Sequence, residues 1–378
     1  MIHFNSSVSS PQLMAYFQEL NSDYLNYRTK LFSEKSLGIL KQVFPASKLF
    51  LCSSATDALE MVAFMMDLKE GDEVIMPSFT FVSTANAFVS KGATPVFVDV
   101  DLQTGSIDPA LLQAALTEKT KAVVLVHYLG ICPNMAVFQD FCKENNLLFI
   151  EDAAMGFGNS NQGRPLGSLG DFGVVSFDIT KQISSVQGGL LIVNNPAYQE
   201  RANQLYHIGT NRTAFEKGEK PYYEWVDVGS KFQMNELNAA FLYDQLSNQT
   251  EILARRNEII RSYHAELMPL AKEGRINILH EHYLDEAVHA FVIVVKSAET
   301  RQILQAYLKS QQIEAMFHYI PLHSSKMGRK CGRFVGGNHT EQLAGTILRL
   351  PVHLNLSTQD VLRVCKEITD FYLQNPDA

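Results

Sequence analysis

The chain has 378 residues, which suits two or three domains, or one large domain with a smaller one attached. Its formal net charge of −8 argues against a broad nucleic-acid surface, because such surfaces are cationic. The five cysteines form no CxxC pair, so we expect neither a disulfide framework nor a metal site. No apolar run suits a membrane span and no leader is evident, so we predict a protein of the cytoplasm with no membrane partner.

Short apolar segments rich in β-branched residues alternate with amphipathic segments along the first half of the chain. The apolar segments predict strands at residues 74–77, 95–100, 122–127, 147–152, 173–177 and 189–193. Between them, residues 56–68, 109–118 and 135–145 have helical spacing. Since the strands are apolar on both faces, helices should cover both sides of a mostly parallel sheet. The pattern predicts a doubly wound α/β fold.

The last third of the chain has a different pattern. Residues 235–263 have the spacing of one long helix, and a strand at 287–295 and helices at 300–309 and 358–374 follow. We therefore expect two domains, a large α/β domain over residues 1–250 and a smaller α+β domain over residues 251–378.

Asp152 and Lys181 are the two charged residues with the clearest chemical meaning. Asp152 ends an apolar strand, where burying a carboxylate costs free energy unless a cation meets it, and Lys181 follows a strand 29 residues later. Taken singly, the aspartate also fits a helix cap or a structural ion pair, and the lysine fits a solvated surface charge. Together they match pyridoxal phosphate, whose aldehyde forms a Schiff base with a lysine and whose ring nitrogen needs a carboxylate.

Small and hydroxyl residues supply the next part of such a site. Ser54 and Ala55 directly precede the predicted helix over residues 56–68, and Thr56 is its first residue. Ser176 lies five residues before Lys181. Backbone N–H groups and hydroxyls at a helix N-terminus bind phosphate, although an ordinary N-cap explains the same residues in isolation. Phe81 is either a core residue or a ring that stacks on a planar cofactor. The sequence has no GxxxxGK[ST] or GxGxxG motif, so a nucleotide ligand has no comparable support.

Several motifs resemble the DegT/StrS group of sugar-nucleotide aminotransferases. They are Glu151-Asp152-Ala153-Ala154, Ser176-Phe177-x-x-Thr180-Lys181, Gly188-Gly189, the stretch 317–323 and Leu350-Pro351. The resemblance spans about residues 2–375 and implies a fold-type-I pyridoxal phosphate aminotransferase, acting as a homodimer with shared active sites. Charged residues make up only 19% of the chain, against about 25% in typical soluble proteins, which agrees with a buried interface between chains.

The resemblance also implies a role for individual residues. Lys181 would be the catalytic lysine, Asp152 the partner of the pyridine nitrogen and Phe81 the stacking ring. The cofactor-binding residues that it implies are Ser54, Ala55, Thr56, Phe81, Asp152, Met155, Ser176, Lys181 and Gln233. The candidate substrate contacts are Arg212, Tyr319 and His323, with Lys231 as a further cation for a diphosphate.

The stretches 72–78, 80–88, 209–212 and 317–323 narrow the activity that the resemblance implies. They indicate transfer of an amino group from glutamate, through pyridoxamine phosphate, to a dTDP-linked 4-keto-6-deoxyhexose, giving dTDP-4-amino-4,6-dideoxygalactose for a cell-surface polysaccharide. Met155, Asp178 and Gln187 depart from the group's pattern, which usually has Gln or His, His, and Glu at these positions. Amination at C3 or of another nucleotide keto sugar stays open, as does a non-catalytic ligand sensor, which only Met155 and Gln187 favour.

Overall fold

A computed structural model describes residues 1–6, 8–279, 281–283 and 286–377. Its strands are β1 (Lys48–Cys52), β2 (Glu73–Pro77), β3 (Thr94–Val98), β4 (Thr120–Val126), β5 (Leu148–Asp152), β6 (Ser160–Asn161), β7 (Arg164–Pro165), β8 (Phe172–Ser176), β9 (Gly189–Val193), β10 (Ile276–Ile278), β11 (Phe291–Val295), β12 (Arg333–Val335) and β13 (Ile347–Leu350). Eight of them form one sheet in the order β1-β9-β8-β5-β4-β2-β3-β12. Only β9 runs against its neighbours in this described sheet, so the predicted mostly parallel α/β sheet is confirmed.

Helices cover both faces of this sheet. They are α1 (Leu13–Ser22), α2 (Tyr24–Arg28), α3 (Leu31–Val43), α4 (Ala55–Met65), α5 (Val82–Val89), α6 (Leu112–Ala115), α7 (Met135–Glu144), α8 (Gln199–Tyr206), α9 (Arg212–Glu216), α10 (Glu236–Ser247), α11 (Gln249–Lys272), α12 (Ala298–Ser310), α13 (Lys326–Cys331), α14 (His339–Thr346) and α15 (Thr358–Gln374). Short 3-10 helices lie at Pro109–Leu111, Tyr128–Gly130, Pro196–Tyr198 and Glu281–Tyr283. Within the described residues, no helix combines the length and apolarity that a membrane span needs.

Strand alternation explains why both faces of the sheet are apolar. In β2, Val74 and Met76 pack with α4 and α5, whereas Ile75 packs with α7 on the opposite face. The same alternation in β9 sends Leu191 to the first face and Ile192 to the second. Strands buried on both sides read as continuous apolar runs, which is why they were visible in the sequence.

A second sheet, in the order β10-β11-β13, packs against α11, α12 and α15 around its own apolar core. Two segments connect this sheet with other parts of the chain. Ile2 pairs with Ile313 beside this core, and β12, although late in the chain, is an edge strand of the large sheet beside β3. The division at residue 250 therefore stays a prediction, because elements on both sides of it cross between the two sheets.

The helix predicted over residues 235–263 is two helices, α10 and α11, separated at Asn248. Asn248 has φ −109° and ψ 13°, outside the helical region, and its side-chain amide donates to the carbonyl of Asp244 at 2.7 Å. An asparagine that bonds the preceding turn in this way competes with the helical ladder. The apolar periodicity continues through the break, which is why the sequence showed a single helix.

Candidate active site

One edge of the large sheet carries most of the predicted site residues. Asp152 ends β5 and Ser176 ends β8, and these strands are parallel neighbours, so both residues lie at the same edge. β1 runs in the same direction, since β9 lies antiparallel between it and β8, and the turn after β1 delivers Ser54 there as well. The carboxyl edge of a parallel sheet is the usual ligand-binding edge of such folds.

Asp152 is buried and fixed by two hydrogen bonds. Its Oδ2 accepts from the hydroxyl of Thr84 at 2.8 Å, and its Oδ1 accepts from the N–H of Ala154 at 3.2 Å. Thr84 is itself paired with the hydroxyl of Thr80 at 2.9 Å. Burial raises the pKa of Asp152, while these hydrogen bonds and the charge of Lys181 act in the opposite direction. The carboxylate is thus kept in a dry position with a cation in its field.

Lys181 lies in a turn that its own neighbours hold in place. Asp178 accepts from the N–H of Thr180 at 3.0 Å and from its hydroxyl at 2.7 Å, and the Asp178 carbonyl accepts from the Lys181 N–H at 2.9 Å. Burial lowers the pKa of Lys181 and Arg349 lowers it further, while Asp152 and Asp178 raise it. Among the described residues, none forms a hydrogen bond with its ε-amino group, so this amine is available as a nucleophile.

The N-terminus of α4 forms a second part of the site. Ser54 caps the helix, accepting from the N–H of Asp57 at 3.0 Å, and Thr56 shares a hydrogen bond with Ser83 at 2.7 Å. Ser54, Ala55 and Thr56 are half-buried, so the start of α4 is partly accessible. A helix N-terminus with these groups suits an anion such as a phosphate.

Gly189 allows this helix terminus to approach the strands. A Cβ added at Gly189 would lie 2.4 Å from the backbone nitrogen of Ala55, closer than any real side-chain contact. Gly189 is paired in register with Ser176 across β8 and β9, so the glycine places Ser176 next to the start of α4. The Gly188-Gly189 pair is therefore a packing requirement of the predicted phosphate position.

Phe81 is not a core residue. It precedes α5 with 58% of its surface exposed, and its ring centroid lies 6.4 Å from that of Tyr319. Tyr319 also contacts the buried ring of Phe79 at 5.5 Å, which anchors the segment after residue 316 beside Phe81. An exposed ring at the site edge is suited to stack on a planar ligand.

Other predicted contacts have partners of their own. Gln233 hydrogen-bonds the Tyr206 carbonyl at 3.2 Å and the His207 ring at 3.0 Å, and its backbone bridges Cys52 beside the phosphate position. Met155 is buried in an apolar cluster that includes Tyr128, so its thioether packs between the two sheets. The roles of Gln233 and Met155 at the cofactor stay predictions.

The predicted substrate contacts differ in their exposure and in the partners that they already have. Arg212 is exposed and pairs with Glu216 at 2.8 Å, and Lys231 is exposed. Both ring nitrogens of His323 are used, one by Ser78 at 2.6 Å and the other by Glu341 at 2.7 Å. His323 therefore fastens the segment before α13 to the end of β2, and contact with a substrate would need one of these bonds to break.

Sequence reasoning missed several residues at this edge. Thr84 is one, because it lies 68 positions before Asp152 and no local pattern links the two residues. Gln182 is another, because it donates to the Met155 carbonyl at 2.7 Å and contacts His289 at 3.3 Å, anchoring the residue after Lys181. A glutamine directly after a candidate catalytic lysine was the signal that the sequence offered.

These residues fit pyridoxal phosphate. The ring nitrogen requires a buried carboxylate with a free lone pair, which Asp152 offers, and the aldehyde requires an amine without a competing partner, which Lys181 offers. The phosphate requires N–H and hydroxyl donors, and the clearance at Gly189 brings Ala55 and Ser176 together for this purpose. Cofactor binding at these residues is the prediction tested next.

Replacing Gly189 with alanine should weaken cofactor binding. The new Cβ collides with the backbone of α4, so the N–H groups there must move away from Ser176. We expect the affinity of the apoenzyme for pyridoxal phosphate to fall roughly tenfold or more, as for the loss of one charge-assisted hydrogen bond. Equilibrium dialysis measures this, with Gly38→Ala as the control because a Cβ at that helical glycine meets nothing within 4 Å. Equal affinities for the two variants would contradict the assignment.

The depressed pKa of Lys181 predicts how cofactor capture depends on pH. A lysine reacts with an aldehyde as the neutral amine, so capture rises with pH and levels off above the pKa of the lysine. Because burial lowers the pKa of Lys181, its capture should level off below about pH 10.4, the ordinary value of a lysine. Borohydride quenching followed by peptide mass spectrometry measures this at each pH. Lys366, whose pKa Asp370 raises, is the internal control, and identical profiles would contradict the prediction.

Comparisons with known proteins agree with this geometry. The sequence profile of the DegT/DnrJ/EryC1/StrS aminotransferase family matches residues 44–369. An uncharacterized protein of Methanocaldococcus jannaschii, MJ1066, is 28% identical over 98% of this chain and 97% of its own. PseC of Helicobacter pylori, an aminotransferase of pseudoaminic acid biosynthesis, has the same fold with a TM-score of 0.88, 22% identity and 99% coverage of both chains.

A further structure adds a ligand-bound relative. DesI, solved in the presence of its TDP-sugar product, is 25% identical with a TM-score of 0.83, and the alignment covers 100% of this chain and 95% of DesI. The profile match spans most of the chain, including both Asp152 and Lys181. The chain belongs to the DegT/DnrJ/EryC1/StrS aminotransferase family and is a transaminase whose cofactor is pyridoxal phosphate.

Proposed function

We propose that the protein transfers the amino group of glutamate to C4 of a dTDP-linked 4-keto-6-deoxyhexose, giving dTDP-4-amino-4,6-dideoxygalactose. The observation that carries the transaminase chemistry is the buried Asp152 near the amine of Lys181, which has no hydrogen-bond partner among the described residues. Support for a TDP-linked sugar comes from DesI, which aligns over the whole chain and binds such a product. The stretches 72–78, 80–88, 209–212 and 317–323 support the 4-keto substrate and its galactose-configured product.

The protein residues divide the chemical work between them. Bound pyridoxal phosphate supplies an electron-accepting ring that makes the hydrogen on the donor Cα acidic. With the cofactor bound, Asp152 would keep the ring nitrogen protonated, so that the ring could accept electrons. Lys181 would remove the proton from the donor Cα as a base and would supply a proton as an acid, and the two roles would be reversed when the sugar is aminated.

Burial suits Lys181 to its role as a base. A lysine in water is almost entirely protonated at neutral pH and accepts no proton. Desolvation by the surrounding residues and the positive charge of Arg349 lower the pKa of Lys181, which increases the neutral fraction. The carboxylates of Asp152 and Asp178 limit this shift, so the amine keeps enough basicity to remove a proton from carbon.

The sugar nucleotide brings a diphosphate, for which Arg212 and Lys231 are the proposed partners. The pair between Arg212 and Glu216 is exposed on both sides, and exposed pairs contribute little to stability. An incoming diphosphate therefore displaces Glu216 at small cost. Tyr319, which lies beside Phe81 at the edge of the site, is the proposed contact for the sugar ring.

We also propose that the active unit is a homodimer with shared sites. Helix α9 and the loop after it expose a group of large apolar side chains, at 43% for Phe215, 69% for Tyr222, 54% for Tyr223 and 78% for Trp225. This loop is held in shape, because Asn211 bonds the Tyr222 carbonyl and the Glu224 N–H at 2.9 and 2.8 Å. An ordered, exposed apolar patch of this kind marks a protein interface. A cytoplasmic enzyme also fits the five free cysteines.

The double variant Tyr223→Ser with Trp225→Ser should weaken the dimer. Removing both rings takes away apolar area that a second chain would cover, so the sedimentation mass should fall towards 42.4 kDa from twice that value. Leu373→Ser, which alters a residue 75% exposed on α15, is the matched control and should leave the mass unchanged. A wild-type mass equal to one chain would exclude the dimer.

A panel of nucleotide keto sugars tests the activity itself. When the enzyme is given glutamate and dTDP-linked 4-keto-6-deoxyglucose, glutamate should be converted to 2-oxoglutarate. NMR of the sugar product should show an axial amine at C4. UDP-linked and 3-keto analogues should react more slowly, and Lys181→Ala should lower the rate by at least about 1,000-fold because the base and acid are lost. Lys326→Ala, on the exposed start of α13, is the control lysine.

The panel also separates the alternatives. An amine at C3, or preference for another nucleotide, would correct the substrate and leave the transaminase chemistry in place. The absence of 2-oxoglutarate with every sugar, while Lys181 still captures the cofactor, would favour the ligand sensor instead.

A further inference from the structure

Arg349 is a charged residue on a face of β13 that is otherwise apolar. Its neighbours Leu348 and Leu350 point into the core beneath the three-stranded sheet. Ile347, two residues before Arg349 and therefore on the same face, packs in the cluster that contains Phe79. Arg349 is thus directed towards the contact between the two sheets, where the candidate active site lies.

The guanidinium group of Arg349 is only partly satisfied. Its Nη2 donates to the Phe317 carbonyl at 3.3 Å, a long hydrogen bond, and its central carbon lies 4.6 Å from the ring centroid of Phe4. Its Nε is buried and has no hydrogen-bond partner among the described residues. In the described part of the chain, no carboxylate lies within 4.0 Å of this guanidinium. Burying a guanidinium without a counter-ion is costly, so such an arrangement needs a reason.

The segments bonded to Arg349 line the site. The backbones of Arg349 and Met316 exchange two hydrogen bonds, at 2.8 and 3.0 Å, and this pairing leads directly into Phe317 and Tyr319. Tyr319 then contacts Phe81, the proposed stacking ring. From the other side, the N-terminal segment that carries Phe4 is fastened to the lysine turn, since Asn5 donates to the Ile179 carbonyl at 3.0 Å.

The distribution of charge around Arg349 favours the binding of one more anion. Arg349 lies close enough to Lys181 to lower its pKa, whereas Asp152 accepts hydrogen bonds from Thr84 and from the Ala154 N–H. The nearby His318 stays neutral, because burial, Arg349 and Lys181 lower its pKa to about 2. The described residues therefore place no carboxylate against Arg349, and a carboxylate ligand matches its planar fork of donors.

We infer that Arg349 binds a carboxylate of the amino donor. This inference rests on the proposed function, in which glutamate delivers the amino group next to Lys181. The buried Nε gives the guanidinium a donor that no group in the described part of the chain accepts. The ring of Phe4 covers one face of the guanidinium, which holds it in one orientation for an incoming carboxylate. The diphosphate of the sugar is the competing anion, and the test separates the two.

The experiment compares Arg349→Gln and Arg349→Lys with the wild-type holoenzyme in each half-reaction. With glutamate, Arg349→Gln should lower kcat/KM roughly 100-fold, mainly through KM, and Arg349→Lys should lower it roughly tenfold, because lysine keeps the charge without the fork. The half-reaction with the sugar nucleotide should change less than threefold in both variants. Arg301→Gln is the matched control, since Arg301 also lies over an aromatic ring, that of Phe317, at 5.4 Å.

Donor analogues identify which carboxylate is bound. Norvaline keeps the α-carboxylate and lacks the distal one, whereas 4-aminobutyrate has only the distal carboxylate. Arg349→Gln should selectively impair norvaline if Arg349 holds the α-carboxylate, and 4-aminobutyrate if it holds the distal one. Calorimetric binding of glutarate to the holoenzyme gives a readout that needs no turnover, and Arg349→Gln should weaken it about tenfold or more.

Two results would overturn the inference. One is equal glutamate and glutarate affinity in the wild type and Arg349→Gln, with circular dichroism showing that the variant is folded. The other is a loss confined to the sugar half-reaction, which would assign Arg349 to the diphosphate. Failure of the wild type to react with glutamate would instead contradict the proposed function, and glutarate binding would still decide the role of Arg349.

Discussion

The carboxylate of Asp152 is held away from water at the end of a central strand. The residues around it are arranged to offset the free energy that burying this charge costs. Thr84 from α5 and the backbone after β5 supply the hydrogen bonds that compensate for desolvation. These bonds keep the group in one position while leaving it in the field of Lys181. A buried charge of each sign at one sheet edge is what a charged, planar cofactor needs. The fold provides it because parallel strands end together.

Close backbone approaches then decide what fits beside this pair. Gly189 lets the start of α4 lie against β9, which brings the helix N-terminus to the predicted phosphate position. On the opposite side, the second sheet brings Tyr319 and Arg349 to the same edge through backbone pairing with the segment after residue 315. The proposed cofactor and donor positions therefore come from different sheets. The hydrogen bonds of His323 to Ser78 and Glu341 help to hold the two in register.

Strand periodicity and spacing were enough to predict the large sheet and the proximity of Asp152 and Lys181 at one of its edges, because buried parallel strands are apolar throughout and their ends coincide in space. The sequence could not show features that depend on distant segments. β12 is three residues long and pairs only after the chain has returned to the sheet edge. Thr84 and Arg349 were missed because their partners lie far along the chain, and the break at Asn248 was missed because apolar periodicity runs through it. Short edge strands, side-chain contacts and local breaks therefore needed the structure.

Transfer of label in a single turnover tests the central claim most directly. Holoenzyme carrying its cofactor on Lys181 is mixed with ¹⁵N-glutamate, the excess is removed, and dTDP-linked 4-keto-6-deoxyglucose is then added. The account predicts one ¹⁵N-amino sugar formed for each 2-oxoglutarate released, and none with Asp152→Asn at the same time point. The account would be contradicted if the wild-type enzyme transferred no ¹⁵N to the sugar and kept its cofactor on Lys181.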